Sequence, residues 1–403
     1  MTTFSAEFLG CKVALADSQA VRERLVADGH AEQPGGRVRV VTTCCVTAEA
    51  VAKSRKAVRR AARSAERVFV TGCAANLEGA GFERLAANVT VVRGPADGVP
   101  QAVAGALGGL GCTGGPAPRF VRTRAYVKVQ DGCSFGCSFC VIPKVRGPSR
   151  SRSAAAVLDE VRRRATQGHP EIVLTGINLG CFRDRALGMR LEDLMVAAAE
   201  VDGIGRVRLS SIEVNHLTDR LLDALAHPRV AGHLHVPMQS GADDVLRAMR
   251  RRYTAAGFLR AVGRARERVP GLNVTSDVIV GHPAEDEAAF QRTLAAVREA
   301  GLGAVHVFPY SPRPDTRDAG IDPVSPAAKR SRSRRLRELS DELGLARRRG
   351  ALGRSARVLV ETEAGRGFAD DYVPFMVAGA PAARFAEVVA TGLGDGVVIG
   401  QAA

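Results

Sequence analysis

The sequence predicts an α/β protein with three parts: an N-terminal parallel α/β sandwich, a central partial (β/α)6 barrel and a small C-terminal β-barrel. Short apolar runs alternate with helical stretches over residues 1–95, and the same alternation resumes at residue 125 for six strand–helix units. After residue 353, short strand-like runs are separated by Gly-rich turns. A chain of 403 residues with 46% hydrophobic residues exceeds one ordinary domain and can bury several cores.

The N-terminal segment, residues 1–95, contains the strand-like runs AEFLG, RVRVVTT, ERVFVTG and NVTVVRG. Cys11, Cys44 and Cys73 directly follow the first three runs. Because parallel strands with helical crossovers bring their carboxyl ends to one edge, we expect the three thiols to converge there. An ordinary buried cysteine is the alternative for any one of them.

Residues 96–122 are rich in Gly, Ala and Pro and are predicted to be a linker. The central segment, residues 123–345, has strand-like runs at 125–129, 171–176, 206–211, 233–238, 273–281 and 304–310. Six strand–helix units are too few for a closed eight-stranded barrel, so we expect an open, partial one. Barrels of this kind carry their chemistry at the carboxyl ends of the strands.

The loop after the first barrel strand reads DGCSFGCSFC, with Cys133, Cys137 and Cys140 in the spacing C-x3-C-x2-C. One such loop could hold three corners of an iron–sulfur cube. A 4Fe-4S cluster normally takes four cysteine ligands, so three would leave one iron free for a substrate. A structural zinc site would need a fourth Cys or His, and the 20 residues after Cys140 contain neither.

With Phe139 before the last cysteine, this motif resembles that of the radical S-adenosylmethionine (SAM) enzymes. The segments FLGCKVALADS (8–18), TTCCVTAEA (42–50), VTGCAAN (70–76) and HLHVPMQSGADDVLRAMRRRYT (233–254) are similar to those of the methylthiotransferases within that superfamily. The resemblance implies two 4Fe-4S clusters, one on Cys133, Cys137 and Cys140 and an auxiliary one on Cys11, Cys44 and Cys73. By the same match, Cys45 stands where a non-ligand is usual.

The family's mechanism uses SAM twice, first as a methyl donor to sulfur associated with the auxiliary cluster and then as the source of a 5′-deoxyadenosyl radical. The radical abstracts hydrogen from a carbon, to which a methylthio group is transferred. The strand-end residues expected to approach SAM are Thr175, Gly176, Asn178, Glu213, Gln239 and Ser240. For Glu213 a structurally paired carboxylate is the alternative. Arg146 and Arg313 could hold a substrate or SAM carboxylate, or form ordinary ion pairs.

The segments LGCKV and RRRYT look most like the branch that acts on N6-threonylcarbamoyladenosine (t6A) at position 37 of tRNA. A net charge of +15 and a pI near 10.0 suit a polyanionic partner, as do the basic runs at 53–63 and 329–338. Each basic run alone is more often a solvated helix face.

Five residues depart from the family's usual pattern: Ala14, Thr42, His282, Ala284 and Asp315. These changes favour an alternative, a diverged methylthiotransferase that acts on a protein, a peptide or a small molecule, including one in natural-product biosynthesis. A third possibility is a non-catalytic iron–sulfur protein that binds RNA.

Residues 353–403 resemble the family's small RNA-binding β-barrel, the TRAM domain, although few Lys or Arg residues occur there. The N-terminus lacks a basic segment followed by an apolar one, and we expect a cytoplasmic protein without a membrane segment. The nine cysteines are expected to be reduced, and Cys112 receives no role. The expected partners are tRNA, a reductase or flavodoxin-type electron donor and a sulfur donor.

Overall fold

The computed structural model describes residues 2–108 and 122–402. Cys112 and residues 109–121 of the predicted linker lie outside this described part. The chain forms two compact units, of which the first contains residues 2–108, Asp131–Arg150 and Ser311–Ile321, and the second contains residues 122–130, Ser151–Tyr310 and residues 322–402. The predicted fold class is confirmed, whereas the domain limits given above stay predictions. No helix among the described residues is both long and apolar enough to cross a membrane.

The first unit is built on a five-stranded parallel sheet in the order β2-β1-β3-β4-β5. Its elements are β1 (Thr3–Phe8), α1 (Lys12–Ala27), β2 (Ala31–Glu32), β3 (Val38–Thr43), α2 (Ala48–Ala62), β4 (Arg67–Gly72), β5 (Val89–Val91) and α3 (Val99–Ala106). The α3 helix begins inside the predicted linker. The side chain of Thr47 caps α2 by accepting a hydrogen bond from the backbone N–H of Ala50 at 3.1 Å.

Helices cover both faces of this sheet because successive strand residues point in opposite directions. Val40 packs with Phe4 in a core that α1 and α3 complete. Its neighbour Val41 packs with Val58 of α2 in a second core. The sheet whose carboxyl edge carries Cys11, Cys44 and Cys73 is therefore packed against helices on both faces.

The segment with the C-x3-C-x2-C motif belongs to the first unit by its packing. It is preceded by β6 (Arg124–Lys128) and β7 (Gln130–Asp131), and it is followed by α4 (Ile142–Arg146) and β8 (Arg150–Ser151). Val141 and Val145 are four residues apart and lie in the same core as Val58. This packing fixes the end of the cysteine loop.

The second unit contains six parallel barrel strands, as the sequence predicts. Strands β12-β9-β6 form one sheet and β13-β14-β15 another, and the parallel bridge between Ser211 and His235 joins them. The elements after β8 are α5 (Ala154–Thr166), β9 (Glu171–Thr175), β10 (Arg183–Asp184), β11 (Met189–Arg190), α6 (Leu191–Ala199), β12 (Arg206–Leu209), α7 (Asp219–Leu225), β13 (His233–His235), α8 (Asp243–Ala248), α9 (Ala255–Arg268), β14 (Asn273–Val280), α10 (Glu287–Glu299), β15 (Ala304–Pro309) and α11 (Pro326–Arg349). Short 3-10 helices cover Leu179–Cys181 and Val214–His216.

The C-terminal strands close into a five-stranded barrel in the order β16-β17-β18-β20-β19. They are β16 (Ser355–Val360), β17 (Arg366–Ala369), β18 (Pro374–Val377), β19 (Phe385–Gly394) and β20 (Val397–Ala402). Val358, Phe375 and Val388 fill the interior. The small β-barrel predicted from Gly-rich turns is confirmed.

A buried ion network joins this small barrel to the strands of the (β/α)6 core. The fully buried carboxylate of Glu171 accepts hydrogen bonds from Nε of Arg206 at 2.5 Å and from Nε of Arg208 at 3.0 Å. Arg206 also donates to the Asp370 carboxylate, and Arg208 donates to the carbonyl of Ala369. Burial alone would raise the pKa of Glu171, but Arg208 and Arg206 lower it to about 2.

We expect the Glu171→Gln variant to lose about 3–5 kcal/mol of unfolding free energy, because a neutral amide leaves the buried Arg208 without its counter-charge and Arg206 with Asp370 alone. Urea unfolding followed by circular dichroism measures this change. The matched control is Asp159→Asn, which breaks an exposed pair with Arg162 and should cost less than about 1 kcal/mol. A Glu171→Gln protein as stable as this control would contradict the assignment.

Candidate active site: two groups of three cysteines

The structure brings Cys11, Cys44 and Cys73 together at the carboxyl edge of the N-terminal sheet. Gly10 has φ +129°, and a Cβ atom added to it would lie 3.3 Å from Sγ of Cys44. Glycine therefore lets the end of β1 approach the end of β3 closely. Burial raises the pKa of Cys11, and a charge on Cys73 raises it further. Burial also raises the pKa of Cys44 to about 11, with Cys73 and Cys11 adding to the effect.

This grouping of three thiols fits a metal-bound state. Thiolates so close together repel one another, and burial also disfavours their charged forms. A cationic iron cluster removes both penalties, since cluster ligands are thiolates. The three cysteines thus have the ligand type that an iron–sulfur cluster takes, and their binding of such a cluster stays a prediction.

Arg146 lies beside this group and is engaged by protein side chains rather than by a substrate or SAM carboxylate. Its Nη1 and Nη2 donate to the carboxylates of Asp131 and Asp17 at 3.0 and 2.8 Å. Its Nε donates to Sγ of Cys73 at 3.0 Å. Burial alone would lower the pKa of Arg146, but Cys73 and the two aspartates raise it above its usual value. All three guanidinium nitrogens are engaged, so Arg146 is not available to hold a ligand carboxylate.

Cys45 is the fourth thiol of this region and is fully buried. It shares a hydrogen bond with Cys73, which raises the pKa of Cys45 and lowers that of Cys73. Cys45 is therefore the donor and keeps its proton, while Cys73 is the acceptor. This distribution suits Cys73 as a ligand and Cys45 as its neighbour.

The second group lies in the loop between β7 and α4. Gly132 has φ +69°, and a Cβ atom there would lie 2.1 Å from the carbonyl oxygen of Pro148, so no other residue fits. The N–H of Cys133 donates to the Gly147 carbonyl at 3.1 Å. The N–H of Phe135 points at Sγ of Cys133 at 3.4 Å. A backbone amide directed at a cysteine sulfur is a contact that stabilises a thiolate ligand.

Three of the residues expected near SAM follow β9 in the second unit. Thr175 is fully buried and Asn178 is 3% exposed. The hydroxyl of Thr175 and both side-chain polar atoms of Asn178 have no hydrogen-bond partner within the described residues. Gly176 packs against Gln130, whose side chain would lie 3.0 Å from an added Cβ atom. Buried groups of this kind normally find a partner, so this edge has the chemistry to bind a polar ligand.

The other three expected residues follow β12 and β13. Glu213 is ion-paired with Arg251, which is the alternative considered for it above. Gln239 has φ +62°, a conformation fixed because its N–H donates to the Asp277 carbonyl at 2.8 Å. The Ser240 hydroxyl accepts from the N–H of Ala242 at 3.2 Å. Their contact with SAM stays a prediction.

A polar cluster that sequence reasoning missed lies next to Gln239. His235, Asp277 and His306 come from β13, β14 and β15, and their ligand atoms lie within 4.8 Å of one another. Both imidazoles lie 3.1 Å from Oδ1 of Asp277. Burial would raise the pKa of Asp277, but the two histidines lower it below its usual value. The alternation in HLHVPM places His235 on the same strand face as His233, but the strand register that adds Asp277 and His306 is a tertiary feature.

Comparison with known proteins identifies the family of this chain. Residues 127–297 match the radical SAM superfamily, and residues 3–94 match a family described as uncharacterized protein family UPF0004. The threonylcarbamoyladenosine tRNA methylthiotransferase MtaB of Thermotoga maritima is 32% identical over 94% of this chain and 91% of the relative. This chain belongs to the radical SAM methylthiotransferase family.

Other relatives carry related names. MtaB of Bacillus subtilis is 34% identical over 85% of this chain and 81% of the relative. A tRNA-2-methylthio-N(6)-dimethylallyladenosine synthase of Sorangium cellulosum is 35% identical over 90% of this chain and 82% of the relative. Among solved structures, the radical SAM methyltransferase TsrM of Kitasatospora setae has a TM-score of 0.58 at 16% identity, covering 79% of this chain and 77% of that one. TsrM shares the fold.

In this methylthiotransferase, Cys133, Cys137 and Cys140 are the residues that would hold the 4Fe-4S cluster of the radical SAM reaction. With SAM, that cluster supplies the radical chemistry that activates a carbon–hydrogen bond. The chain itself contributes the fixed loop at Gly132 and the buried polar edge at Thr175 and Asn178.

The expected roles of the adjacent residues Cys44 and Cys45, cluster ligand and non-ligand, can be distinguished by mutation. We expect Cys44→Ala to lower the iron of the reconstituted protein from about eight to about four atoms per chain, since each cubic cluster carries four. Cys45→Ala should keep the full content, because Cys45 is a protonated neighbour. Iron and sulfide analysis measures both variants. Loss of iron from Cys45→Ala alone would reverse the assignment of the two residues.

Proposed function

We propose that this enzyme transfers a methylthio group to carbon 2 of t6A at position 37 of tRNA. The single observation that carries the proposal is the match to the MtaB protein of T. maritima over 94% of this chain and 91% of that relative. The relative from S. cellulosum has a similar identity, 35%, and its name refers to a dimethylallyl nucleoside. The two modified adenosines are therefore the substrates to compare.

The charge distribution of α2 supports an RNA partner. Lys56, Arg59 and Arg63 are exposed and lie three and four residues apart, so they share one side of the helix. Within the described part of the chain, none of them forms an ion pair. By contrast, Lys329 and Arg332 of the second basic run are buried and paired with Asp322 and Glu285. The first basic run therefore has free charge for phosphates, and the start of the second does not.

The same proposal includes the cofactors and partners that the reaction needs. Cys11, Cys44 and Cys73 would hold an auxiliary 4Fe-4S cluster, and Thr175, Asn178 and Gln239 would line the SAM site together with Gly176, Glu213 and Ser240. An electron donor of the reductase or flavodoxin type and a sulfur donor complete the set. A tRNA substrate places the enzyme in the cytoplasm.

The proposal is tested by mass spectrometry of nucleosides from total tRNA of a strain that lacks this gene and of its complemented parent. We expect 2-methylthio-t6A to disappear and then return, with the dimethylallyl product unchanged. The reciprocal result would assign the enzyme to the dimethylallyl nucleoside. Unchanged nucleosides, with two clusters still measured in the purified protein, would favour a protein, peptide or small-molecule acceptor.

A further inference from the structure

Arg313 occupies an unusual position in the first unit. Its segment, Ser311–Ile321, contacts both cysteine-bearing loops. The hydroxyl of Ser311 accepts from the N–H of Ala48 at 3.1 Å, three residues after Cys45. At the other end, the N–H of Asp318 donates to the carbonyl of Ser138 at 3.2 Å, between Cys137 and Cys140. Arg313 therefore lies on a segment held between the two groups of candidate cluster ligands.

The guanidinium of Arg313 is buried without a complete set of partners. Arg313 is only 6% exposed. Its Nε and Nη1 have no hydrogen-bond partner within the described residues, and no carboxylate of those residues pairs with it. Burying a charge without a counter-ion is strongly unfavourable, and an arginine cannot relieve the cost by losing its proton. The site is therefore built to receive an anion.

Arg146 is a buried arginine of the same unit whose guanidinium nitrogens all have hydrogen-bond partners. It is 7% exposed, nearly as buried as Arg313, but two aspartates and Cys73 engage all three of its nitrogens. The two arginines were equivalent candidates in the sequence. Their surroundings separate them, because Arg146 has a structural role, whereas Nε and Nη1 of Arg313 have no hydrogen-bond partner within the described residues.

We propose that Arg313 binds a carboxylate of a reaction ligand by charge-assisted hydrogen bonds from its guanidinium, whose Nε and Nη1 have no other partner within the described residues. Two ligands offer this group: the α-carboxylate of SAM and the threonyl carboxylate of t6A. The second source rests on the function proposed above, whereas the first does not. The dimethylallyl nucleoside has no carboxylate.

The test uses the full-length reconstituted protein and the Arg313→Gln variant. Equilibrium dialysis measures SAM affinity, and titration with tRNA anticodon stem–loops measures the preference for t6A over unmodified adenosine at position 37. The matched control is Arg317→Gln, which removes the same charge from an exposed position of the same segment. Iron content and the thermal unfolding midpoint report on folding. Arg313→Lys keeps the charge without the planar fork and should show an intermediate effect.

We expect Arg313→Gln to weaken one of the two ligands by about 10- to 100-fold, as for the loss of charge-assisted hydrogen bonds. Weaker SAM binding identifies the SAM carboxylate, and loss of the t6A preference with unchanged SAM binding identifies the nucleoside. Affinities equal to those of Arg317→Gln would overturn the proposal. So would a loss of half the iron, since Arg313 would then serve as a counter-charge for a cluster. If the wild-type protein shows no preference for t6A, the result contradicts both t6A as the ligand of Arg313 and the proposed substrate. The SAM affinity of Arg313→Gln then decides whether Arg313 binds a ligand carboxylate at all.

Discussion

The buried guanidinium of Arg146 is the contact on which the first unit's chemistry depends. The Cys73 thiol and the carboxylates of Asp17 and Asp131 are buried around it. Removing one partner from such a network leaves an uncompensated charge that costs several kcal/mol. Arg146 joins Asp17 of α1, which follows Cys11, to Asp131, which precedes Cys133 by two residues. One cation thus fixes residues close to both cysteine groups.

Much of the fold follows from the sequence because it depends on local pattern. Alternation of apolar runs and helical stretches defines the parallel sheet and the six barrel strands, and the edge rule for parallel strands brings Cys11, Cys44 and Cys73 together. The ion pair of Glu213 with Arg251 has no local signal, since 38 residues separate the two. The same holds for His235, Asp277 and His306, which meet only through strand register. Sequence therefore locates the candidate site but does not specify its polar contacts.

The residues that depart from the family pattern lie in several different environments. Asp315 has φ +61°, the left-handed region in which glycine is favoured, so the backbone keeps a glycine-like conformation with a larger side chain. Ala14 lies 3.4 Å from the position of an added Cβ on Gly10, and Thr42 lies 3.1 Å from the equivalent position on Gly72. These two changes therefore lie next to the glycines that directly precede Cys11 and Cys73. His282 meets the ring of Tyr310 edge-on.

The attachment of the small C-terminal barrel has a consequence for how the chain is assembled. Arg206 and Arg208 find part of their hydrogen-bond partners on the loop at Asp370, which is translated 162 residues after Arg208. Until then, Glu171 alone faces two guanidinium groups whose remaining donors need water. These hydrogen bonds therefore form only after all six strands of the (β/α)6 core have been translated.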